Sequence, residues 1–387
     1  MNHFYNHQNP DSNMKVAGLF AGIGGLELGF SRAGFRSTLL CEIEPTAQHV
    51  LRANFPDVEI VGDVRDVQDL RGADVLCAGF PCQNLSSSGN KVGITGDQSS
   101  LVDEIFRLLE NNDPRWVIIE NVRFMLHLNK GEAMARIVKN FERMGYNWAY
   151  RVIDSQAFGV PQRRHRVYFV ASKTDDPRNV ILSNDAAKSA DAISQATISD
   201  HIGFYWTEGA YAVGLNKDAI PPLKAGSTIG IPSPPAIYFP DGVVGTPEIR
   251  DAERLQGFEA DWTKAAEEVA RPSARWRLLG NSVTVPVSEW IANKILKPQS
   301  YNATNDRPLV GKWPNAAWSM GGRSYESNCS DWPIDLPTVK IGEFLNYPVK
   351  PLSARATNGF LSRARKGNLN FPSGFLNMLE QHSRIFI

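Results

Sequence analysis

The 387-residue chain sets 41 Lys+Arg against 41 Asp+Glu, with 42% apolar and 21% charged residues. That is ordinary for a soluble globular protein and argues against one that is basic all over, although a basic cleft offset by acidic surface elsewhere stays open. The length allows one large core with a second lobe, or about two to three domains. No apolar run approaches the ~18 residues of a membrane span, and Met1 to Asn13 lacks the apolar stretch of a secretory signal. A flexible tail over residues 1–13 and a cytoplasmic protein are expected. The cysteines, Cys41, Cys77, Cys82 and Cys329, form no CxxC pair, so neither a metal site nor a disulfide framework is expected.

Lys15 to Phe20 reads as a buried strand that runs into Ala21-Gly22-Ile23-Gly24-Gly25 and then a helix. Missing Cβ atoms in such a turn let backbone approach a nucleotide-type cofactor; a tight turn without ligand is the plainer alternative. The next strand, Thr38 to Cys41, ends in Glu42. An acid about 20 residues beyond the turn is where ribose hydroxyls are met in this architecture. A helix follows from Pro45, and the strand Val58 to Val61 leads to Gly62-Asp63-Val64. The apolar run from Val75 is ended by Pro81, in Gly79-Phe80-Pro81-Cys82-Gln83. Cys77 lies inside that run and reads as core. Cys82 lies just past it, on a loop rich in Ser and Gly, and is the candidate nucleophile. After a helix from Leu101 to Glu110, the strand Trp116 to Ile119 ends in Glu120-Asn121-Val122. Asp63, Cys82 and Glu120 thus occupy successive strand ends, which share one edge of a doubly wound sheet.

A helix from about Glu132 to Met144 and the strand Trp148 to Ile153 come next. Val160-Pro161-Gln162-Arg163-Arg164-His165-Arg166 precedes the strand Val167 to Val170. Its arginines form either a solvated patch or a binder of anions and carbonyls. From Ser172 to Gly245 periodicity fades and Pro and Gly become dense, as in a loop-rich lobe. Thr246-Pro247 opens a helix to Gln256, with Thr as cap, and a last helix spans Val287 to Leu296. Beyond Lys297 the sequence carries Trp313, Trp318 and Trp332, several prolines and no long helical periodicity. Within Pro351 to Ile387 five basic residues face one acid, Glu380, which suits either a solvated extension or phosphate contacts.

Over residues 15–171 and 247–296 the chain resembles the DNA cytosine-5 methyltransferases, above all the bacterial modification enzymes. The likeness rests on Phe20-Ala21-Gly22-Ile23-Gly24-Gly25, Glu42, Gly62-Asp63, Gly79-Phe80-Pro81-Cys82-Gln83, Glu120-Asn121-Val122, Gln162-Arg163-Arg164-His165-Arg166, Arg250 to Gly257 and Gly280-Asn281-Ser282-Val283, in the family's order. It implies a Rossmann-like α/β methyltransferase fold with a doubly wound, mostly parallel sheet, and S-adenosylmethionine as cofactor. The implied layout is a catalytic domain at 14–171 completed by 276–298, a target-recognition domain at 172–275, and a C-terminal extension at 299–387.

The resemblance also implies roles. Cys82 adds to cytosine C6 as a thiolate, Glu120 meets N3, and Arg166 meets O2 with Arg164 alongside. Phe20, Ala21, Gly22, Gly24 and Gly25 would line the cofactor loop. Glu42 would hold the ribose, with Ile43 beside it, and Asp63 would accept from the adenine amino group, with Val64 next to it. Pro81, Leu101, Asn281 and Val283 complete the expected cofactor contacts. Residues 83–100 resemble a loop that closes on DNA, and Gln83, Ser86, Ser88, Gln162 and Arg163 are the expected DNA contacts. A base inside a duplex must be flipped out to be attacked. The implied substrate is a specific double-stranded DNA sequence, met by a monomer serving a restriction-modification system beside a cognate endonuclease, or acting as a solitary methylase. Rival readings are an RNA-methylating relative, a DNA-binding regulator on an inactive fold, and a nucleotide-dependent oxidoreductase. The last leaves Pro81-Cys82 unexplained, and the inactive fold has no reason to retain Cys82, Glu120 and Arg166 together.

Overall fold

A computed structural model describes residues 13–80, 101–187, 196–210, 212–227 and 233–386. Two units divide the chain. The first comprises Met1–Val152, Arg166–Asp185 and Val285–Cys329; the second comprises Ile153–His165, Ala186–Thr284 and Ser330–Ile387.

The first unit opens with β1 (Lys15–Leu19), α1 (Gly25–Arg32), β2 (Arg36–Cys41), α2 (Pro45–Asn54), β3 (Glu59–Val61) and β4 (Val75–Ala78). It continues with α3 (Leu101–Asn111), β5 (Trp116–Val122), α4 (Glu132–Arg143), β6 (Asn147–Asp154) and β7 (His165–Ser172). These seven strands lie in the order β3-β2-β1-β4-β5-β7-β6. The first five run parallel, while β7 runs antiparallel to β5. Strands buried on both faces need continuous apolar runs, and β4 is buried throughout. Chain order reverses between β1 and β4, which opens a crevice at the carboxyl edge of the strands. Ile105 and Leu108 of α3 and Met134 and Phe141 of α4 belong to the same apolar core as Ala17, Leu76 and Val117 of the sheet.

The chain proceeds through α5 (Arg178–Ile181), β8 (Ile202–Phe204), β9 (Asn216–Lys217), β10 (Ala236–Tyr238), β11 (Val244–Thr246), α6 (Ile249–Leu255), α7 (Ala274–Asn281) and α8 (Val285–Leu296). Thr246 is a strand residue and does not cap α6; that helix is capped by Glu248, whose carboxylate accepts the Arg250 N–H. After α8 come β12 (Arg307–Pro308), β13 (Ala316–Met320) and β14 (Arg323–Glu326). They extend the first sheet to ten strands, with β13 antiparallel to β6.

The remaining residues belong to the second unit: α9 (Ile341–Phe344), β15 (Lys350–Pro351), α10 (Ala354–Ala364) and α11 (Phe375–Ile385). Here the expected lack of periodicity is corrected. Thr357, Phe360, Leu361 and Ala364 form a buried stripe along α10, the spacing of an amphipathic helix. A second, antiparallel sheet of order β15-β11-β10-β8-β9 lies beneath.

Within the first unit, α1 meets α8 at Gly29. A Cβ there would lie 2.5 Å from Ser288 Cβ and 2.6 Å from the Glu289 backbone nitrogen. Overpacking of this kind costs about 1–3 kcal/mol or more. Gly29→Val should therefore lower the urea midpoint clearly, whereas Gly226→Ala, with open space around it, should not. Equal midpoints for the two variants would show that α1 and α8 do not pack as described.

Candidate active site

At the carboxyl edge of the first unit, β1 is followed by a turn with positive φ at Phe20 (55°), Gly22 (57°) and Gly24 (83°). The turn is closed by Gly24 N–H donating to Ala21 O at 2.8 Å, and Ala21 N–H donates to Cys41 O at the end of β2 at 2.9 Å. Gly24 then caps α1, whose first residue is Gly25. Glu42, just past β2, is organised before any ligand arrives. Its Oε2 accepts the Gly22 N–H and its Oε1 accepts the Glu44 N–H, each at 2.8 Å. Burial pushes its carboxyl up, and those N–H groups oppose the shift. Ile43, beside it, is 66% exposed. Asp63 accepts the Arg65 backbone N–H and pairs with the Arg65 guanidinium, which holds its carboxyl below the usual range. Val64 is buried, and Leu101 begins α3. A Cβ on Gly22 would meet no described residue within 4 Å, so nothing described crowds the backbone there. A fixed carboxylate for hydroxyls, an exposed apolar face for a flat base, and an unobstructed glycine turn suit an adenosyl cofactor.

Along the same edge, Glu120 Oε1 and Arg166 Nε are 3.1 Å apart, with side chains 11% and 15% exposed. Val122 pairs with Arg166 and Glu120 with Tyr168 across β5 and β7, so the acid and the guanidinium are diagonal neighbours on one face. Asn121, between the paired positions, donates from Nδ2 to Phe80 O at 3.3 Å, and its Oδ1 accepts the Val122 N–H. The segment leading to Pro81-Cys82 is thereby tied to the strand that carries Glu120. Pro81, Cys82, Gln83, Ser86 and Ser88 lie outside the described residues. The other three cysteines are ill suited to nucleophilic work. Burial pushes the Cys41 thiol up to about 12, and those of Cys77 and Cys329 upward as well.

The second unit holds the other expected residues. Arg164 is buried, and its guanidinium donates to the carbonyls of Leu223, Gly280 and Ser282. Gln162, expected at DNA, is instead fully buried. It donates to Leu255 O and Gln256 Oε1 and accepts the Leu223 N–H, because an internal amide must find partners for both its ends. Arg163 is half-buried, and its backbone N–H donates to Ile220 O. Asn281 is exposed at the end of α7, and Val283 is buried.

Sequence reasoning passed over Asp154 and Asp331. Fully buried Asp154 accepts the Arg164 and Gln156 N–H groups through Oδ1. Its Oδ2 lies 3.4 Å from His165 Nε2, which is 2.8 Å from Asp331 Oδ2. A nitrogen and an oxygen bound to one small divalent ion stand about 3.3 Å apart in tetrahedral geometry. The 2.8 Å contact is a direct hydrogen bond, so the three side chains form a bridge across a histidine. Asp154 is the last residue of β6, a strand-end acid of the kind that drew attention to Asp63; Asp331 carries no local signal.

The strand order and site together define an S-adenosylmethionine-dependent methyltransferase. The structure resembles that of the Entamoeba histolytica methyltransferase EhMeth, with a TM-score of 0.54 and 16% identity over 74% of this chain and 99% of that one. The family model for C-5 cytosine-specific DNA methylases matches residues 14–212. Type II methyltransferase M2.BsuMI of Bacillus subtilis (strain 168) is 47% identical over 381 residues, spanning 95% of this chain and 98% of the relative. Type II methyltransferase M.NlaX of Neisseria lactamica is 30% identical, spanning 76% and 99%. The chain belongs to the C-5 cytosine-specific DNA methylases. It is a DNA methyltransferase with S-adenosylmethionine as methyl donor.

Behind the glycine turn lies an acid that sequence reasoning did not single out. Glu27 on α1 is 1% exposed, and neither carboxylate oxygen has a partner in another described residue. Burial pushes its carboxyl up to about 7, from an ordinary value of 4.5. The folded protein therefore holds this proton where the unfolded chain has released it. The stability so gained is full below pH 4.5 and is lost as pH rises through 7. Glu27→Gln should remove that slope and be more stable than the parent above pH 7, by ~3 kcal/mol at most. Parallel stability curves from pH 4 to 8 would refute the placement of Glu27.

Proposed function

We propose that Cys82 activates the target cytosine of a specific duplex sequence while Glu120 and Arg166 hold the opposite edge of the base. The observation that carries this reading is the Glu120–Arg166 pair at 3.1 Å, on the strand that also binds the Phe80 carbonyl through Asn121. Cytosine C5 is a poor nucleophile. Addition of the Cys82 thiolate to C6 pushes electrons toward N3 and O2 and makes C5 enamine-like. As the base enters, Glu120 takes up a proton and donates a hydrogen bond to N3, and the Arg166 guanidinium stabilises charge developing at O2. S-adenosylmethionine supplies an electrophilic methyl group to C5. Loss of the C5 proton and departure of the Cys82 thiolate then restore the aromatic ring. Glu42 would hold the ribose hydroxyls, Asp63 the adenine amino group and Ile43 an adenine face. Arg164, whose Nη1 and Nη2 donate to carbonyls, acts as a positioning residue for the turn that leads to Arg166.

Residues 172–275 are read as the segment that selects the target. The names of the relatives, both Type II methyltransferases, support a restriction-modification setting. A cytoplasmic monomer with a cognate endonuclease completes the reading. Among the described residues no helix is long and apolar enough to cross a membrane.

Incubating purified protein with mixed-sequence DNA and S-adenosylmethionine, then sequencing the modified cytosines, should reveal one short context. Cys82→Ser should abolish transfer while DNA binding survives; turnover by that variant would sink the assignment. Glu42→Ala should weaken S-adenosylmethionine binding at least about tenfold with DNA affinity kept, as befits loss of a charged hydrogen-bonding group. Unchanged cofactor affinity would move the ribose site elsewhere.

A further inference from the structure

We propose that Arg363, at the end of α10, is a specificity-positioning residue: it fixes the loop Tyr205–Gly209, making the C-terminal segment a working part of target selection. This rests on the reading of residues 172–275 as the target-selecting segment.

Arg363 Nε donates to Glu208 O and its Nη2 to Trp206 O, each at 2.8 Å. One planar guanidinium thus spans two carbonyls of a single loop, a fit that a lysine cannot reproduce. The surrounding backbone is built for close approach. Gly209 has φ +142°, and a Cβ on it would lie 2.9 Å from Arg363 Cβ; a Cβ on Gly367 would lie 2.6 Å from Ala210 O. Beneath the contact, Phe360, Leu361, Ala364, Phe375 and Leu379 share one core with Phe204, Tyr238 and Val244. Pro351 pairs with Gly245. Buried His382 accepts the Val244 N–H through Nδ1, so its Nε2 carries the proton donated to Leu352 O.

The loop that Arg363 holds in turn places a cation. The Lys224 ammonium lies 3.6 Å from the Glu208 carboxylate and 3.6 Å from the centroid of the Tyr205 ring. Its side chain is 41% exposed, so it stays open to a phosphate or a base edge. The residue before it, Leu223, gives its carbonyl to Arg164. The Lys224 backbone lies so close to Gly280 that a Cβ on Gly280 would overlap it. A continuous run of contacts therefore leads from α10 through the loop to Lys224, and on to the arginine turn of the active-site motif.

The test uses the full-length chain and the mixed-sequence DNA described above. Arg363→Ala, Arg363→Lys and Lys224→Ala are compared for KM toward DNA, S-adenosylmethionine affinity, and the spread of methylated sequence contexts. Arg363→Ala should raise the DNA KM about tenfold, consistent with loss of two charge-assisted hydrogen bonds. It should widen the contexts methylated and leave cofactor affinity unchanged; Arg363→Lys should recover part of the loss. A folded Arg363→Ala with parental KM and context spread overturns the proposal. If Lys224→Ala alters both and Arg363→Ala neither, only the role of Arg363 falls. If both variants leave them unaltered, the reading of the lobe falls too. Should Arg363→Ala fail to fold, Arg363→Gln, which keeps the stem and one donor, is scored by the same outcomes.

Discussion

The reversed direction of β7 is the constraint on which the catalytic edge depends. In a sheet of parallel strands, residues at strand ends share one edge and residues at strand starts share the other. Glu120 lies near the end of β5 and Arg166 near the start of β7. Only an antiparallel neighbour brings a strand start to the edge where its partner ends, and β5 and β7 are paired in that sense. A parallel seventh strand would carry Arg166 to the far side of the sheet. The acid and the guanidinium could then not serve one base.

Once β7 is reversed, the electrostatics follow. The two side chains are nearly buried, where an unpaired charge is costly and a paired one is tolerated. Each therefore keeps the other in place, and the proposed mechanism would begin from a pair already positioned. Arg164 shows the contrasting solution. Its Nη1 and Nη2 donate to three carbonyls of its own unit, which fixes the guanidinium as a rigid support. Two arginines separated by one histidine thus have different partners, an acid for Arg166 and carbonyls for Arg164, and the proposed reading gives them different tasks on that ground.

Much of the first unit was legible in the sequence, because parallel strands buried on both faces announce themselves as short apolar runs. Lys15–Leu19, Val75–Ala78 and Trp116–Val122 are strands of this kind, and the residues proposed for the site lie at or just past their ends. The direction of β7 was not legible, since its run Val167-Tyr168-Phe169-Val170 reads alike in either sense; only the family resemblance placed Arg166 opposite Glu120. The strands past Lys297 were hidden for another reason. Of these, β12 and β15 are two residues long and fully exposed, and pairing rather than pattern makes them strands. The stripe on α10 was present but diluted by Ser, Arg and Gly. The burial of Gln162 and the reach of Asp331 to His165 arise from contacts across 94 and 166 residues, which no local window contains.

The stretch after α8 also changes what a basic tail can mean. Its first part, through β14, completes the sheet that carries Glu120 and Arg166. The rest supplies Phe360, Phe375 and Leu379 to a core shared with β8 and β10. Two of its basic residues, Arg365 and Arg384, are paired with Glu380, and Arg363 is bound to carbonyls. Arg365 and Arg384 stay 52% and 73% exposed beside that acid, whereas the Arg363 guanidinium is committed to the loop. Removing this stretch would expose two apolar surfaces and leave strand edges unpaired, so a loss of DNA affinity on truncation would report unfolding before it reported lost phosphate contacts. Single side chains such as Arg363 are therefore the level at which any part of this segment in DNA binding can be separated from its part in folding.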